Sequence, residues 1–214
     1  MAYNRNKNIN KATAFYTLLS ILFGILFGVF YSVVNQVGFL SSAFADKQIE
    51  LLGYQTIIAV LIVMITPKRI WAAVNSGLFF LIANTCYYFY SFFVTGKFNF
   101  NGFIYHSCFS IGVFLLCLIV WQYKKGGWFA GLGAAIPLSV LSAESIFLII
   151  CLIQGFSWVT LINILVSVCF MIFFYTKIPS GNDTKVKTIV FHIIFTVIIA
   201  LYYLWSKGII VFNI

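Results

Sequence analysis

"WFAGLGAAIPLSVLSAESIFLIICLIQ", residues 128–154, decides the fold. The run is apolar from end to end and carries a single charged side chain, Glu144. Helices that cross a bilayer need about 20 such residues to span a hydrocarbon core roughly 30 Å thick, and this stretch exceeds that length.

Similar runs recur on both sides of it, at residues 13–35, 51–66, 70–95, 102–122, 157–176 and 188–206. The whole chain of 214 residues is 63% hydrophobic, 20% aromatic and 8% charged, with a mean hydropathy of +1.05. Soluble domains carry about 25% charged residues, which they need to cover their surface. The expected fold is therefore all-α, a polytopic transmembrane helix bundle of seven spans. The count falls to six if the short second run, which ends at Thr66-Pro67, is re-entrant. Residues 1–214 read as one integral-membrane domain, because the loops at 36–50 and 177–187 are too short for a soluble domain. The start, MAYNRNKNINK, leads into an apolar run without a small-residue cleavage pattern, which reads as a retained first helix. The tail SKGIIVFNI is too short to cross again.

The formal net charge of +9 raises the question of nucleic acid, but the basic residues fall singly or in pairs between apolar runs, which argues against it. Their distribution is topological. Arg5, Lys7, Lys11, Lys68, Arg69, Lys124, Lys125, Lys177, Lys185 and Lys187 lie on one side of a seven-span chain, and Lys47, Lys97 and Lys207 on the other. The richer side faces the cytoplasm by the positive-inside rule, which puts the N-terminus there. Trp71, Trp121, Trp128, Trp158 and Trp205 all fall near expected helix ends, where an indole keeps its N–H wet.

Close helix approach in lipid relies on small residues. The first span holds one GxxxG step, Gly24 and Gly28. The fifth holds Gly127, Gly131, Ala135, Ser139 and Ala143, small at every fourth position, a smooth ridge along about four turns. That ridge serves either packing within the chain or docking of a membrane protein partner. Pro137 removes one backbone donor from the same helix and is expected to kink it.

An ionisable group at mid-membrane costs about 2.5 to 3.5 kcal/mol on insertion scales and marks a functional hypothesis by default. Glu144 is the only acidic residue in the spans, about 15 Å from the outer end of its helix at 1.5 Å per residue. At similar depth lie Asn84, Tyr87, Tyr88 and Ser91 of the third span, where Asn84, Tyr88 and Ser91 share a face, and Asn163 of the sixth. Tyr31, Tyr54, Gln55, His106, Tyr202 and Tyr203 enrich the same outer half in polar groups. Glu144, Asn84, Tyr87, Tyr88 and Asn163 are thus the candidate ligand-binding residues, lining an outward-opening cavity for a small solute. A second reading stands beside this one. Glu144 is neutral and hydrogen-bonded, a polar clasp between helices. His192 reads as a boundary residue at the cytoplasmic start of the last helix, and His106 likewise lies near a helix end.

Several chemistries are set aside. Intramembrane aspartyl proteolysis needs two carboxylates, and the spans have one. There is no HExxH for zinc, no P-loop, no GxSxG and no GxGxxG, and Asp46 and Asp183 lie in loops. Cys86, Cys108, Cys117, Cys151 and Cys169 have no CxxC spacing and read as apolar packing residues. No catalytic residue, metal site or cofactor is expected.

The order of features resembles a set of small bacterial integral-membrane proteins with no assigned function. It runs from Gly24 and Gly28 through Pro67-Lys68-Arg69 and Tyr87-Tyr88 to Lys124-Lys125 before a small-residue helix bearing Glu144. The resemblance covers residues 13–150 and implies a multi-pass protein of the bacterial cytoplasmic membrane, in contact with lipid, without implying an activity. The expected function is binding or movement of a small solute. The alternative is a non-catalytic membrane subunit or immunity-type interaction protein.

Overall fold

The computed structural model describes residues 2–36, 52–178 and 181–206. Of the loop read at 36–50, all but Gln36 lies outside the described residues, Lys47 included, as does the tail with Lys207. Those residues form seven α-helices and no strand: α1 (Ala2–Gln36), α2 (Leu52–Ile65), α3 (Arg69–Thr95), α4 (Phe100–Val120), α5 (Trp128–Gln154), α6 (Trp158–Thr176) and α7 (Asn182–Ser206). A 3-10 turn, Trp121–Lys125, continues α4. Six helices are long and apolar enough to cross a membrane. The seventh, α2, has 14 described residues, about 21 Å of rise against a core of about 30 Å. The chain is a multi-pass membrane protein, and the large apolar side chains exposed along its helices, such as Phe93 and Ile153, suit contact with lipid.

Most helix ends fall where hydropathy places them, and local chemistry explains several of them. Pro67 has no N–H to continue α2, and Thr66 closes the helix by donating its N–H and Oγ1 to the Ile62 carbonyl at 3.1 and 2.7 Å. Gly96, with φ of 68°, caps α3 by donating its N–H to Phe92 at 2.8 Å. Two starts differ from the expected spans. α1 begins eleven residues before residue 13, and α7 six residues before residue 188. Hydropathy marks only the apolar part of a helix, whereas polar first turns are also good helix formers. In α7, Asp183 sits at the positive end of the helix dipole and pairs with Lys187 one turn on.

The helices fall into two compact units. The first contains α1, α2 from Ala59 on, α3, and α4 to Leu118. Here the GxxxG step does its expected work. A Cβ on Gly28 would stand 2.9 Å from the Cα of Ala83, and one on Gly24 2.9 Å from the carbonyl oxygen of Phe79, so the two glycines let α1 lie against the backbone of α3.

The second unit contains α2 to Ile58 and the chain from Ile119 through α7. Its centre is α5, with 56% of its apolar window buried against 11–28% for the other spanning helices. The small-residue ridge of α5 packs within the chain. A Cβ on Gly131 would stand 2.8 Å from Cβ of Lys187, and Ser139 Oγ reaches the His192 carbonyl at 3.2 Å, so α7 covers the ridge at these points. Ala135 and Ala143 are fully buried, while Gly127 is exposed. α5 runs as one α-helix through Pro137. The residue four before that proline is Gly133, the position whose carbonyl a proline ring crowds. Gly133 also admits the backbone of Val120, whose oxygen would stand 3.0 Å from a Cβ there.

Candidate functional site

Glu144 leaves α5 into a notch in α2. Its side chain is 7% exposed, and its carboxyl lies directly against Gly53, where a Cβ would stand 2.8 Å from Glu144 Cδ and 3.0 Å from Oε1. No other residue type fits at 53 with the carboxyl in place. The next residue, Tyr54, donates its hydroxyl to Asn163 Oδ1 of α6 at 2.5 Å. Asn163 is 5% exposed, and its Nδ2 is buried with no hydrogen-bond partner among the described residues. An amide has an acceptor end and a donor end, so whichever way the group is turned, one end is left without a partner. A buried polar atom in that condition carries a desolvation penalty of about 1–3 kcal/mol, which an incoming acceptor would relieve. Gly53 and Tyr54, consecutive on α2, thus carry two polar contacts in the second unit, one to Glu144 of α5 and one to Asn163 of α6.

The expected residues of the third span lie in the first unit and meet α4. Asn84 donates through Nδ2 to the His106 carbonyl at 2.9 Å and to Ser110 Oγ at 3.3 Å. Tyr88 Oη lies 2.8 Å from His106 Nδ1, which is also 2.8 Å from the Gly102 carbonyl. A carbonyl only accepts, so Nδ1 carries the proton in this contact and Tyr88 Oη shares it as a second acceptor. Gly102 makes room for the tyrosine, because a Cβ there would stand 2.6 Å from Tyr88 Oη. Tyr87 stacks on Tyr31 of α1 with ring centroids 5.0 Å apart. Asn84, Tyr87 and Tyr88 thus pack α3 against its neighbours, and among the five candidates only Glu144 and Asn163 share the second unit. A groove in the first unit, lined by Thr13, Ala14, Thr17, Leu18, Ile21 and Trp71, contains none of the five. Asn75, bonded to Thr17 of that lining, repeats the pattern of Asn163: its Oδ1 receives Thr17 Oγ1 at 2.9 Å, and its Nδ2 has no partner among the described residues.

Sequence reasoning missed a second polar cluster, on the opposite side of α5. Ser142 Oγ lies 2.8 Å from His192 Nε2 and 3.0 Å from Met171 Sδ. His192 is not a boundary residue. Because α7 starts at Asn182, it stands about 15 Å into the helix, level with Ser139 and Ser142. The spacing of Ser139 and Ser142, three apart on one helix face, was the available signal. A serine within reach of a histidine resembles a nucleophile and its base. Here the hydroxyl sits between His192 Nε2 of α7 and Met171 Sδ of α6, a polar contact that ties three helices together.

Among the described residues no three His, Cys, Asp or Glu side chains come together as a metal site. Cys117 and Cys151 are buried, and none of the five cysteines is joined in a disulfide.

The fold and these clusters define a class, a multi-pass α-helical membrane protein with one buried carboxyl among the described residues of its spans. No protein family, characterised protein or solved structure matches the chain.

Proposed function

We propose that the protein binds or moves a small solute at the Glu144 site of its second unit. The observation that carries this reading is the buried carboxyl seated in the Gly53 notch of α2, one residue before Tyr54, whose hydroxyl engages Asn163 while the buried Asn163 Nδ2 has no partner among the described residues. The site offers an acceptor from Glu144 and a donor from Asn163. It suits a solute that has a donor or cationic group together with a hydrogen-bond acceptor. No lysine or arginine lies among the apolar residues of the spans to neutralise an anion, so the site disfavours acidic solutes. Asn84, Tyr87 and Tyr88 are left to helix packing. The partner-docking reading gains no specific support, since α7 covers the ridge of α5 at Gly131 and Ser139.

The test is a thermal-shift screen of the purified chain against small amines, amino acids and nucleosides. A hit should stabilise wild type and lose at least tenfold in affinity in Glu144→Gln and Asn163→Ala, about 1.4 kcal/mol. Hits that bind Glu144→Gln and Glu144→Ala as tightly as wild type would sink the proposal.

A further inference from the structure

We infer that one end of the second unit is a docking surface for the headgroups of anionic phospholipids. Three chain segments meet there. Tyr123 of the 3-10 turn packs on Phe174 near the end of α6, ring centroids 5.2 Å apart. Gly127 donates its N–H to Thr184 Oγ1 at the start of α7, at 3.1 Å. The result gathers Lys124, Lys125, Lys177, Lys185 and Lys187 at one end of the unit, where the only carboxylate side chain among the described residues is Asp183, paired with Lys187.

The ammonium groups lie over aromatic rings: Lys125 over Trp121 at 5.4 Å, Lys177 over Phe173 at 5.3 Å, Lys185 over Tyr175 at 5.7 Å and Lys187 over Trp128 at 5.5 Å. A ring face holds a cation in place and leaves its charge in force, so the surface keeps an excess of positive charge to offer a phosphate. The opposite end of the unit differs sharply. Among the described residues there, 154–158 and 202–205 carry no charged side chain.

The apolar setting selects a leaflet over a soluble acidic peptide. Trp128 and Phe129 are 62% and 71% exposed beside the lysines, which stacks an amine layer on an aromatic and apolar layer, as at the boundary between headgroups and acyl chains. Each lysine near an anionic surface contributes about 1 kcal/mol, roughly a fivefold preference, so five together give a pronounced one.

The experiment uses the full chain reconstituted in phosphatidylcholine vesicles with or without phosphatidylglycerol, and in nanodiscs from which retained lipids are counted by mass spectrometry. Wild type should enrich phosphatidylglycerol around itself and melt higher in its presence, and both effects should fade near 1 M salt, where screening acts within about 3 Å. The triple variant Lys125→Gln, Lys177→Gln, Lys185→Gln leaves the Asp183 pair intact. It should melt as wild type does in phosphatidylcholine and lose at least about tenfold of the phosphatidylglycerol preference. The salt series on wild type decides the matter even if the variant fails to fold. The proposal is overturned if wild type shows no preference, if the preference survives the three substitutions or high salt, if inorganic phosphate alone reproduces the shift, or if an acidic peptide binds where phosphatidylglycerol does not.

Discussion

Each unit has a glycine that admits a polar side chain to a helix backbone, and the two surroundings differ. In the first unit Gly102 of α4 receives Tyr88 Oη, within a knot where the His106 Nδ1 proton is shared and the Asn84 amide donates twice. In the second unit Gly53 of α2 receives the Glu144 carboxyl, and Asn163 of α6 has one end engaged by Tyr54, the residue after Gly53, and the other without a partner among the described residues. The first arrangement ties α3 to α4 through bonds at both the amide and the imidazole. The second contains an ionisable group and an idle donor, which a clasp does not need. The same residue types, amide and tyrosine, are thus bonded on both sides in one unit and leave a buried donor idle in the other, the difference on which the proposed binding role rests.

The largest expected effect bears on the notches themselves. Gly53→Ala forces a methyl group into the Glu144 carboxyl and should cost about 1–3 kcal/mol, as overpacking does. In a Glu144→Ala background the obstruction is gone, so the same substitution should cost almost nothing. A double-mutant cycle on unfolding in detergent reads the coupling between the two sites. An unchanged cost in the Glu144→Ala background would mean that the carboxyl does not occupy the notch.

A smaller effect separates the two amides. Asn84→Leu removes two interhelical hydrogen bonds of about 0.6 kcal/mol each on average and leaves Ser110 facing an apolar group, a loss of roughly 1 kcal/mol in total. Asn163→Leu removes one hydrogen bond but also removes a buried donor without a partner, and should lie within about 0.5 kcal/mol of wild type. Equal losses at the two positions, measured as shifts in melting temperature, would erase the distinction between clasp and site.

How much of this was legible in the sequence follows from the range over which each signal acts. The spans were legible because hydropathy sums over about 20 residues, and their ends agree within two residues for α2 through α6. The polar first turns of α1 and α7 were not legible, since nothing apolar marks them. That shortfall also hid the depth of His192 and with it the contact to Ser142. Glu144 stood out as the lone acidic residue of the spans. Its seat at Gly53, and the bond from Tyr54 to Asn163 across 109 residues, depend on which helices become neighbours, and no local pattern encodes that. Grouping Asn84 with Glu144 rested on equal depth along separate helices. Equal depth says nothing about the direction in which a side chain leaves its helix.

The smallest effect concerns the two tyrosines. In Tyr88→Phe the His106 Nδ1 proton keeps its other acceptor, the Gly102 carbonyl at 2.8 Å, so the clasp loses only one branch of a shared hydrogen bond. The cost should stay below the average of about 0.6 kcal/mol for an interhelical bond in a membrane protein. Tyr54→Phe has no such reserve. Asn163 Oδ1 then loses its bond from Tyr54, and both ends of the amide are left without a partner among the described residues. Its cost should exceed that of Tyr88→Phe by a few tenths of a kcal/mol, and any solute that engages Asn163 should restore the difference when added at saturation. Matched losses for the two tyrosines, with no restoration by a bound solute, would place Tyr54 and Asn163 in a clasp of the same kind as Tyr88 and His106.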